Sequence, residues 1–356
     1  MIKDKSIFIK NIYWMLAYAF TVLRQQEYKY VEKEDFENIH SLFAAILASG
    51  ISRQLKQGLY REYVNHKEDV LAIRGKIDMP GTMKNRIARK QQVACEFDDL
   101  SENNLLNQII KTTAMLLLRH ENVKAEYKIA LKKVMLFFTD VADINPKTIR
   151  WNTVRLQKNN QSYRMLISIC HLVLAGMLMT TDSGAYKLAS FLDEQEMSRL
   201  YEKFILEFYR MECPEIKANA SQIDWALEDD CSPKYLPTMQ SDIMLSKGNT
   251  VLIIDAKYYT RTMQSYYNVT KLHSGNLYQL FTYVKNKDKD KRFAEQPHTV
   301  SGMLLYAKTD EAVQPHDEEY QMGNNLITVR TLDLNQEFSR IKEDLLQIAK
   351  KFVLNR

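Results

Sequence analysis

Glycine is scarce in this chain of 356 residues, which contains only ten. No Gly-x-x-x-x-Gly-Lys-Ser/Thr sequence occurs, which excludes a P-loop NTPase and leaves no glycine-rich cradle for a nucleotide phosphate. The seven histidines form neither His-x-His nor His-Glu-x-x-His, which argues against a zinc hydrolase. The Gly-x-Ser-x-Gly elbow of serine hydrolases is missing too. Catalysis by this chain would therefore need another kind of site.

Cysteines and long apolar runs are few. The four cysteines lie far apart and form no Cys-x-x-Cys pair, which predicts reduced thiols and a cytoplasmic location. No apolar run approaches the roughly 20 residues that span a bilayer, and the first ten residues lack the apolar core of a signal peptide. We therefore expect a soluble cytoplasmic protein with no membrane partner.

The charge balance is mildly basic, with 49 Lys and Arg against 44 Asp and Glu, a formal net charge of +5. This excess is compatible with a nucleic-acid partner but is too small to establish one. The length allows two or three domains.

The most informative stretch is an expected hairpin of residues 239–245 and 251–258, joined at Gly248-Asn249. A two-residue loop there places Asp242 opposite Asp255, and strand alternation puts Lys257 on the same face. A three-residue loop would instead pair Asp242 with Ile254 and send the two carboxylates to opposite faces.

The first register has a chemical rationale. Two adjacent carboxylates repel each other unless a cation lies between them, and hard oxygen ligands select Mg²⁺ or Mn²⁺. A bound Mg²⁺ can activate water and neutralise charge on a phosphoryl group. Lys257 would then position the water or stabilise the anion. The alternative is a salt bridge between Asp255 and Lys257 at a sheet edge, without a metal.

Two helices flank the hairpin. The downstream helix, residues 276–285, places Gln279 and Tyr283 on one face at a spacing of four residues. The upstream helix, residues 194–211, carries Glu202 and Glu207. Either glutamate would supply a further carboxylate to the site, or both are solvated.

Asp242, followed by a strand bearing Asp255-Ala256-Lys257, resembles the signature of PD-(D/E)xK nucleases. The resemblance implies that Asp242, Asp255 and the Ala256 carbonyl bind Mg²⁺ or Mn²⁺ while Lys257 assists the attacking water. It also implies a supporting role for the Gln-x-x-x-Tyr helix. Ser241 stands where the motif often has proline, a position that shapes the backbone rather than the chemistry.

The overall expectation is an α/β chain (α+β overall), with a mixed helical and small β region at residues 1–190 and a restriction-endonuclease-like domain at 191–356. Asn11 is the expected N-cap of the first helix. Residues 65–69 are expected to form a polar loop between the first two strands of the small β unit, which suggests a partial barrel. The expected helices cover residues 11–20, 33–57, 101–118, 126–138, 162–180, 194–211, 276–285 and 336–352, and the expected strands cover 58–64, 70–77, 91–97, 239–246, 250–258, 301–307 and 326–332.

Three segments in order, residues 10–19, 97–111 and 253–259, resemble the McrC family, the nuclease subunits of McrBC 5-methylcytosine restriction systems. The resemblance implies that residues 1–190 dock on a ring of a GTP-hydrolysing McrB-like partner. The partner would recognise and translocate methylated DNA, while this chain would stimulate the GTPase and cut. Arg74 and Lys76 would face the partner and stabilise transition-state charge, or would simply lie in a solvated turn.

Two other functions remain open at this point. One is a stand-alone PD-(D/E)xK nuclease of DNA repair or a mobile element, with the same site and no motor. The other is a non-catalytic adaptor with a nuclease-like fold. The intact Asp-Asp-Lys set favours an enzyme over the adaptor.

Overall fold

The computed structural model describes residues 3–4, 7–25, 28–156, 161–180, 186–188, 192–228, 231–259, 263–266, 269–290, 293, 296–309 and 314–354. The helices are α1 Ile9–Ala19, α2 Lys29–Lys33, α3 Ile39–Gln57, α4 Met79–Ile87, α5 Leu105–Arg119, α6 Ala125–Met135, α7 Gln161–Gly176, α8 Glu194–Glu212, α9 Ser274–Asp288 and α10 Phe338–Ala349. The strands are β1 Lys3–Asp4, β2 Ile7–Phe8, β3 Glu62–Val70, β4 Lys76–Ile77, β5 Val93–Ser101, β6 Leu178–Thr180, β7 Tyr186–Leu188, β8 Lys217–Asn219, β9 Gln222–Ile223, β10 Met239–Gln240, β11 Ile243–Lys247, β12 Thr250–Lys257, β13 Met263–Tyr266, β14 Val269–Leu272, β15 Thr299–Ala307, β16 Glu318–Met322 and β17 Asn325–Leu332.

The chain divides into two compact units, and the division differs from the predicted boundary at residue 190. The C-terminal unit contains Ala189–Arg356 together with Ala175–Met179 and the first 42 residues, Met1–Leu42. The middle unit contains Phe43–Leu174 and Thr180–Leu188. The first helix therefore belongs to the sheet-containing unit and not to a separate N-terminal region.

Helix α1 is held in the C-terminal unit by buried contacts. The helix begins at Ile9, so the prediction of Asn11 as its N-cap is wrong. Asn11 is 3% exposed, and its side-chain amide donates to the carbonyls of Leu334 at 2.8 Å and Gln336 at 2.7 Å. The Trp14 ring stacks on Phe338, with centroids 4.9 Å apart. A buried amide needs hydrogen-bond partners, and here the distant C-terminal segment provides them.

A six-stranded mixed sheet forms the core of the C-terminal unit, in the order β16-β17-β15-β12-β11-β8. Strands β12, β15 and β17 are parallel neighbours, and the other pairs are antiparallel. Strand β12 is central, and Val251, Leu252, Ile253 and Ile254 are all fully buried, so both of its faces are covered. This explains its continuous apolar run. The predicted α/β class is confirmed.

The middle unit contains helices and a three-stranded antiparallel sheet, β3-β5-β4, rather than a partial barrel. Residues 65–69, predicted as a loop, lie inside β3, which runs from Glu62 to Val70. Most β3 side chains are exposed on both faces, so the strand lacks the apolar alternation that would reveal it. Helix α4, between β4 and β5, was not predicted.

None of the helices in the described part of the chain is long and apolar enough to cross a membrane.

Candidate active site

The hairpin of β11 and β12 has the predicted two-residue turn. Lys247 pairs with Thr250, and the ladder continues to Ile243 opposite Ile254. Gly248 has a φ of 56°, a left-handed conformation that glycine adopts without strain. One step beyond the last pair, Asp242 and Asp255 meet at the same end of the hairpin.

The side chains of Asp242, Asp255 and Lys257 converge. Lys257 Nζ lies 2.8 Å from Asp255 Oδ1 and 3.8 Å from Asp242 Oδ2. The backbone N–H of Ala256 donates to Asp242 Oδ2 at 3.1 Å. Asp255 is 1% exposed, whereas the Asp242 side chain is 22% exposed. The cluster is thus buried on one side and open at Asp242.

Burial sets the electrostatics of this cluster. It raises the pKa of Asp255; the Lys257 charge opposes this shift and the second carboxylate, Asp242, adds to it. Burial alone would lower the pKa of Lys257, but the charges of Asp255 and Asp242 outweigh it and raise the pKa, so the ammonium stays protonated. Asp255 Oδ2 is buried without a hydrogen-bond partner. A cation at this oxygen would relieve both its isolation and the carboxylate repulsion.

The donor set fits a hard divalent cation. Two carboxylates face each other, and among the described residues no three His, Cys, Asp or Glu side chains converge closely enough to hold a metal ion. Mg²⁺ commonly binds through one or two carboxylates and keeps several waters, whereas a structural zinc site needs four protein ligands. The cluster therefore suits Mg²⁺ or Mn²⁺ better than zinc.

The two glutamates of α8 have different surroundings. Burial, followed by the charge of Asp242, raises the pKa of Glu202, which accepts a hydrogen bond from Ser198 at 3.1 Å. Glu207 instead pairs with Arg210 at 2.6 Å. Glu202 is therefore the α8 carboxylate that lies in the field of the Asp242–Lys257 cluster.

Gln279 and Tyr283 are adjacent on α9, as their spacing predicts, with Gln279 Nε2 donating to the Tyr283 hydroxyl at 2.8 Å. Tyr283 is 8% exposed and packs in the core beneath α9. In the described part of the chain, no hydrogen bond joins either residue to Asp255 or Lys257. The structure therefore brings Gln279 and Tyr283 to each other and does not bring them into the cluster.

Sequence reasoning missed three residues beside Lys257. Tyr306 lies opposite Lys257 in the parallel β12–β15 register. The Asn276 side chain, from the first turn of α9, bridges the hydroxyls of Tyr306 and Tyr259. The sequence shows Tyr259 two residues after Lys257, but only the long-range strand pairing reveals Tyr306.

Arg74 and Lys76 lie far along the chain from this cluster, at the start of β4 in the middle unit. The Arg74 guanidinium pairs with Asp99 at 3.1 Å and stands 4.3 Å above the Phe97 ring. Arg74 is therefore held on its own sheet, while Lys76 is exposed.

Together these features define an α/β protein whose mixed sheet presents a buried Asp-Asp-Lys cluster at the end of its central hairpin. Residues 6–307 match the family described as "McrBC 5-methylcytosine restriction system component", and the chain belongs to this family. The family resemblance drawn from the sequence is thus confirmed.

Individual relatives agree with this assignment. The chain is 28% identical over 348 residues to the "Type IV methyl-directed restriction enzyme EcoKMcrBC" of Escherichia coli (strain K12), covering 97% of this chain and 98% of that protein. Its fold resembles a chain in a solved half-complex of Thermococcus gammatolerans McrB AAA+ hexamers with bound McrC, with a TM-score of 0.53 and 18% identity. That match covers 96% of this chain and 76% of the other.

Proposed function

We propose that this chain is the DNA endonuclease subunit of a modification-dependent restriction system, hydrolysing phosphodiesters with Mg²⁺ or Mn²⁺. One observation carries the proposal: Lys257 Nζ lies 2.8 Å from Asp255 Oδ1 and 3.8 Å from Asp242 Oδ2, while the other oxygen of Asp255, Oδ2, is buried without a hydrogen-bond partner. An unpaired buried carboxylate oxygen costs stability, so its presence at a site of this composition is a functional signal.

Each residue has a distinct role in this proposal. Asp242 and Asp255 hold the metal, with the Ala256 carbonyl as a further oxygen. The metal supplies charge neutralisation and water activation when bound. Lys257, kept protonated by the carboxylates, holds a proton beside the attacking water and faces the developing negative charge. Glu202 adds a carboxylate at the open, Asp242 side of the cluster.

The metal role is tested by replacing Asp255 with asparagine, which keeps the shape of the side chain and removes its charge. Titration calorimetry with Mn²⁺ should show a loss of affinity greater than the about 10–100-fold that removal of an outer-shell group costs. Asp333→Asn is the matched control, because Asp333 belongs to an exposed lysine pair (Lys308 Nζ–Oδ2, 2.7 Å) in the same unit. Equal Mn²⁺ affinity in both variants would contradict the assignment.

A partner is proposed from the family and from helix α4. The related McrC chain is bound to AAA+ hexamers of McrB. We extend this arrangement to the present chain, which would bind a McrB-like GTPase ring and stimulate its GTPase. The given sequence has no P-loop, which is consistent with assigning the motor to that ring.

Helix α4 has its apolar side facing outward. Met79, Met83 and Ile87 repeat every four residues and are 61%, 61% and 81% exposed. The opposite side packs on β5: Thr82 Oγ1 accepts from the backbone N–H of Ala94 at 3.1 Å, and Asn85 is buried. An exposed apolar stripe on a well-packed helix is typical of protein docking.

The surroundings of this stripe indicate the character of the partner. Nearby loop residues Leu71 and Ile73 are also exposed, at 81% and 65%. Basic residues lie on the helix and beside it, namely Lys76, Lys84, Arg86, Arg89 and Lys90. The acidic residues beside them are fewer: Asp78 precedes the helix, and Asp69 pairs with Lys90 at 3.8 Å. We therefore expect α4 to dock on an apolar groove of the ring that is bordered by acidic side chains.

A cytoplasmic location completes the proposal. Cys95, Cys170 and Cys213 carry free thiols, and all three are buried. Free thiols are typical of a reducing compartment, where a restriction system meets foreign DNA.

A further inference from the structure

Asn276 has an unusual place in helix α9. The residue lies in the first turn of the helix and is 9% exposed. Its side chain does not cap the helix: the N-cap is His273, and no side-chain capping bond forms there. Instead the amide turns toward the sheet, so its polar atoms serve a purpose other than ending the helix.

Two tyrosine hydroxyls satisfy this amide. The Tyr259 hydroxyl donates to Asn276 Oδ1 at 3.3 Å, and Asn276 Nδ2 donates to the Tyr306 hydroxyl at 3.2 Å. Tyr306 is fully buried, and the rings of Tyr259 and Tyr306 lie with their centroids 6.5 Å apart. The amide therefore fixes the relative positions of two aromatic side chains from different strand ends.

Both tyrosines lie close enough to Lys257 to interact with its charge. Tyr306 is its register partner on the parallel strand β15, and neighbouring strands run about 4.8 Å apart with paired side chains on the same face. Tyr259 lies two residues beyond Lys257, just past the end of β12. Asp255 Oδ1, 2.8 Å from Lys257 Nζ, occupies another side of the ammonium.

We propose that the Tyr259–Asn276–Tyr306 hydrogen-bond network is a positioning device that confines the Lys257 side chain at the candidate nuclease site. The confinement of Lys257 is inferred from the geometry alone. Its importance for catalysis rests on the proposed nuclease function. Asn276 touches neither Lys257 nor the carboxylates through any hydrogen bond in the described residues, so it is a positioning residue and not a catalytic one.

The need for confinement follows from the chemistry of the cluster. Asp255 holds the ammonium through a direct ion pair. A divalent cation bound to that carboxylate would weaken the pull of Asp255 on Lys257. The long lysine side chain then needs steric walls to stay aimed, since it has four rotatable bonds and high side-chain entropy. The two rings, locked by Asn276, supply those walls.

The first test measures confinement without DNA cleavage. Reductive methylation of the whole chain, read by peptide mass spectrometry, reports the accessibility of each lysine. Asn276→Leu keeps the branched shape and the number of heavy atoms and removes the amide, so Lys257 labelling should rise several-fold relative to Lys308 in the same sample. Lys308 is a suitable reference because it is 47% exposed and its ion pair is with Asp333, which is outside the Tyr259–Asn276–Tyr306 network. Unchanged Lys257 labelling would overturn the proposal.

The second test separates positioning from simple structural support. In a cleavage assay, Asn276→Leu should lower kcat by about 10–100-fold with little change in KM, because misplacement of a catalytic group by about 1 Å has this effect. Tyr259→Phe is a milder variant that keeps the ring, and should produce a smaller loss of the same type. In a double-mutant cycle the two losses should not add, since both break one network. Additive losses, or a loss confined to KM, would contradict the network.

The two tests distinguish the failure of each claim. If wild-type protein does not cleave DNA but Lys257 labelling rises in Asn276→Leu, the confinement stands and the nuclease assignment fails. If wild-type protein cleaves DNA and the variant has normal kcat and normal labelling, the nuclease assignment stands and the network is structural only.

Discussion

Gly302 of β15 provides a sharp test of how α9 is held on the sheet. A Cβ atom added at this position would lie 2.7 Å from Val284 Cγ2, 3.0 Å from Leu280 Cγ and 3.0 Å from Ile327 Cδ1. Ordinary carbon contacts lie near 3.5–4.0 Å. Gly302→Ala therefore forces an overlap of up to about 1 Å with the buried face of α9.

The cost follows from the stiffness of those neighbours. Val284 is β-branched and fully buried, so its methyl group has no alternative rotamer to adopt freely. Overpacking by one methyl in such a core typically costs about 1–3 kcal/mol. For a unit of this size, each kcal/mol lowers the Tm by about 2–4 °C. Differential scanning calorimetry should resolve this decrease.

Gly275→Ala is the matched control, because it makes the same glycine-to-alanine change in the first turn of α9, the helix that packs against Gly302. A Cβ atom at Gly275 would meet nothing within 4 Å. Alanine there should leave the Tm unchanged or raise it, since alanine favours helix over glycine by up to about 1 kcal/mol. A Tm for Gly302→Ala equal to that of Gly275→Ala would refute the close packing of α9 on β15.

Two further predictions concern other parts of the chain. Ile87→Asp should abolish stimulation of the ring's GTPase without changing the Tm, because Ile87 is 81% exposed. The control is Leu136→Asp, since Leu136 is 73% exposed in the same unit but lies outside α4, and this variant should leave stimulation intact. Equal loss of stimulation in both variants would contradict docking through α4. Burial tends to raise the pKa of Glu212, but hydrogen bonds from Lys342 and Tyr18 outweigh it and hold the pKa below its usual range. Wild type should therefore have a higher Tm than Glu212→Gln at pH values above the ordinary glutamate pKa, and this advantage should disappear as the pH falls through the lowered pKa of Glu212. A Tm difference that does not change with pH would contradict this.

The hairpin could be predicted because local rules decide it. A two-residue turn at Gly248 fixes the register, and one residue of slip would have moved Asp242 to the other face. The long helix α8 was likewise predicted from its apolar periodicity. These features depend on neighbours in sequence, which a single chain displays directly.

Features that depend on distant partners were not predictable in this way. Asn11 reads as an N-cap from its local sequence, yet it donates to carbonyls more than 300 residues away. The same packing places residues 1–42 with the C-terminal unit. Tyr306 joins Lys257 only through the parallel pairing of β12 with β15. The middle of strand β3, residues 65–69, escaped recognition because its exposed faces carry no apolar alternation.

The central claim is that the Asp242–Asp255–Lys257 cluster cuts DNA that a ring partner delivers to it. The most direct measurement is cleavage of plasmid DNA containing 5-methylcytosine, near physiological salt, with Mg²⁺, GTP and the McrB-like partner. The chain alone should cut little, because a net charge of +5 gives only weak, salt-sensitive DNA binding.

With the partner present, wild-type chain should cut methylated DNA only. Asp255→Asn should abolish cutting while the GTPase remains stimulated. Cleavage by Asp255→Asn at the wild-type rate would contradict the account, and efficient, methylation-independent cutting by the isolated wild-type chain would show a stand-alone nuclease instead.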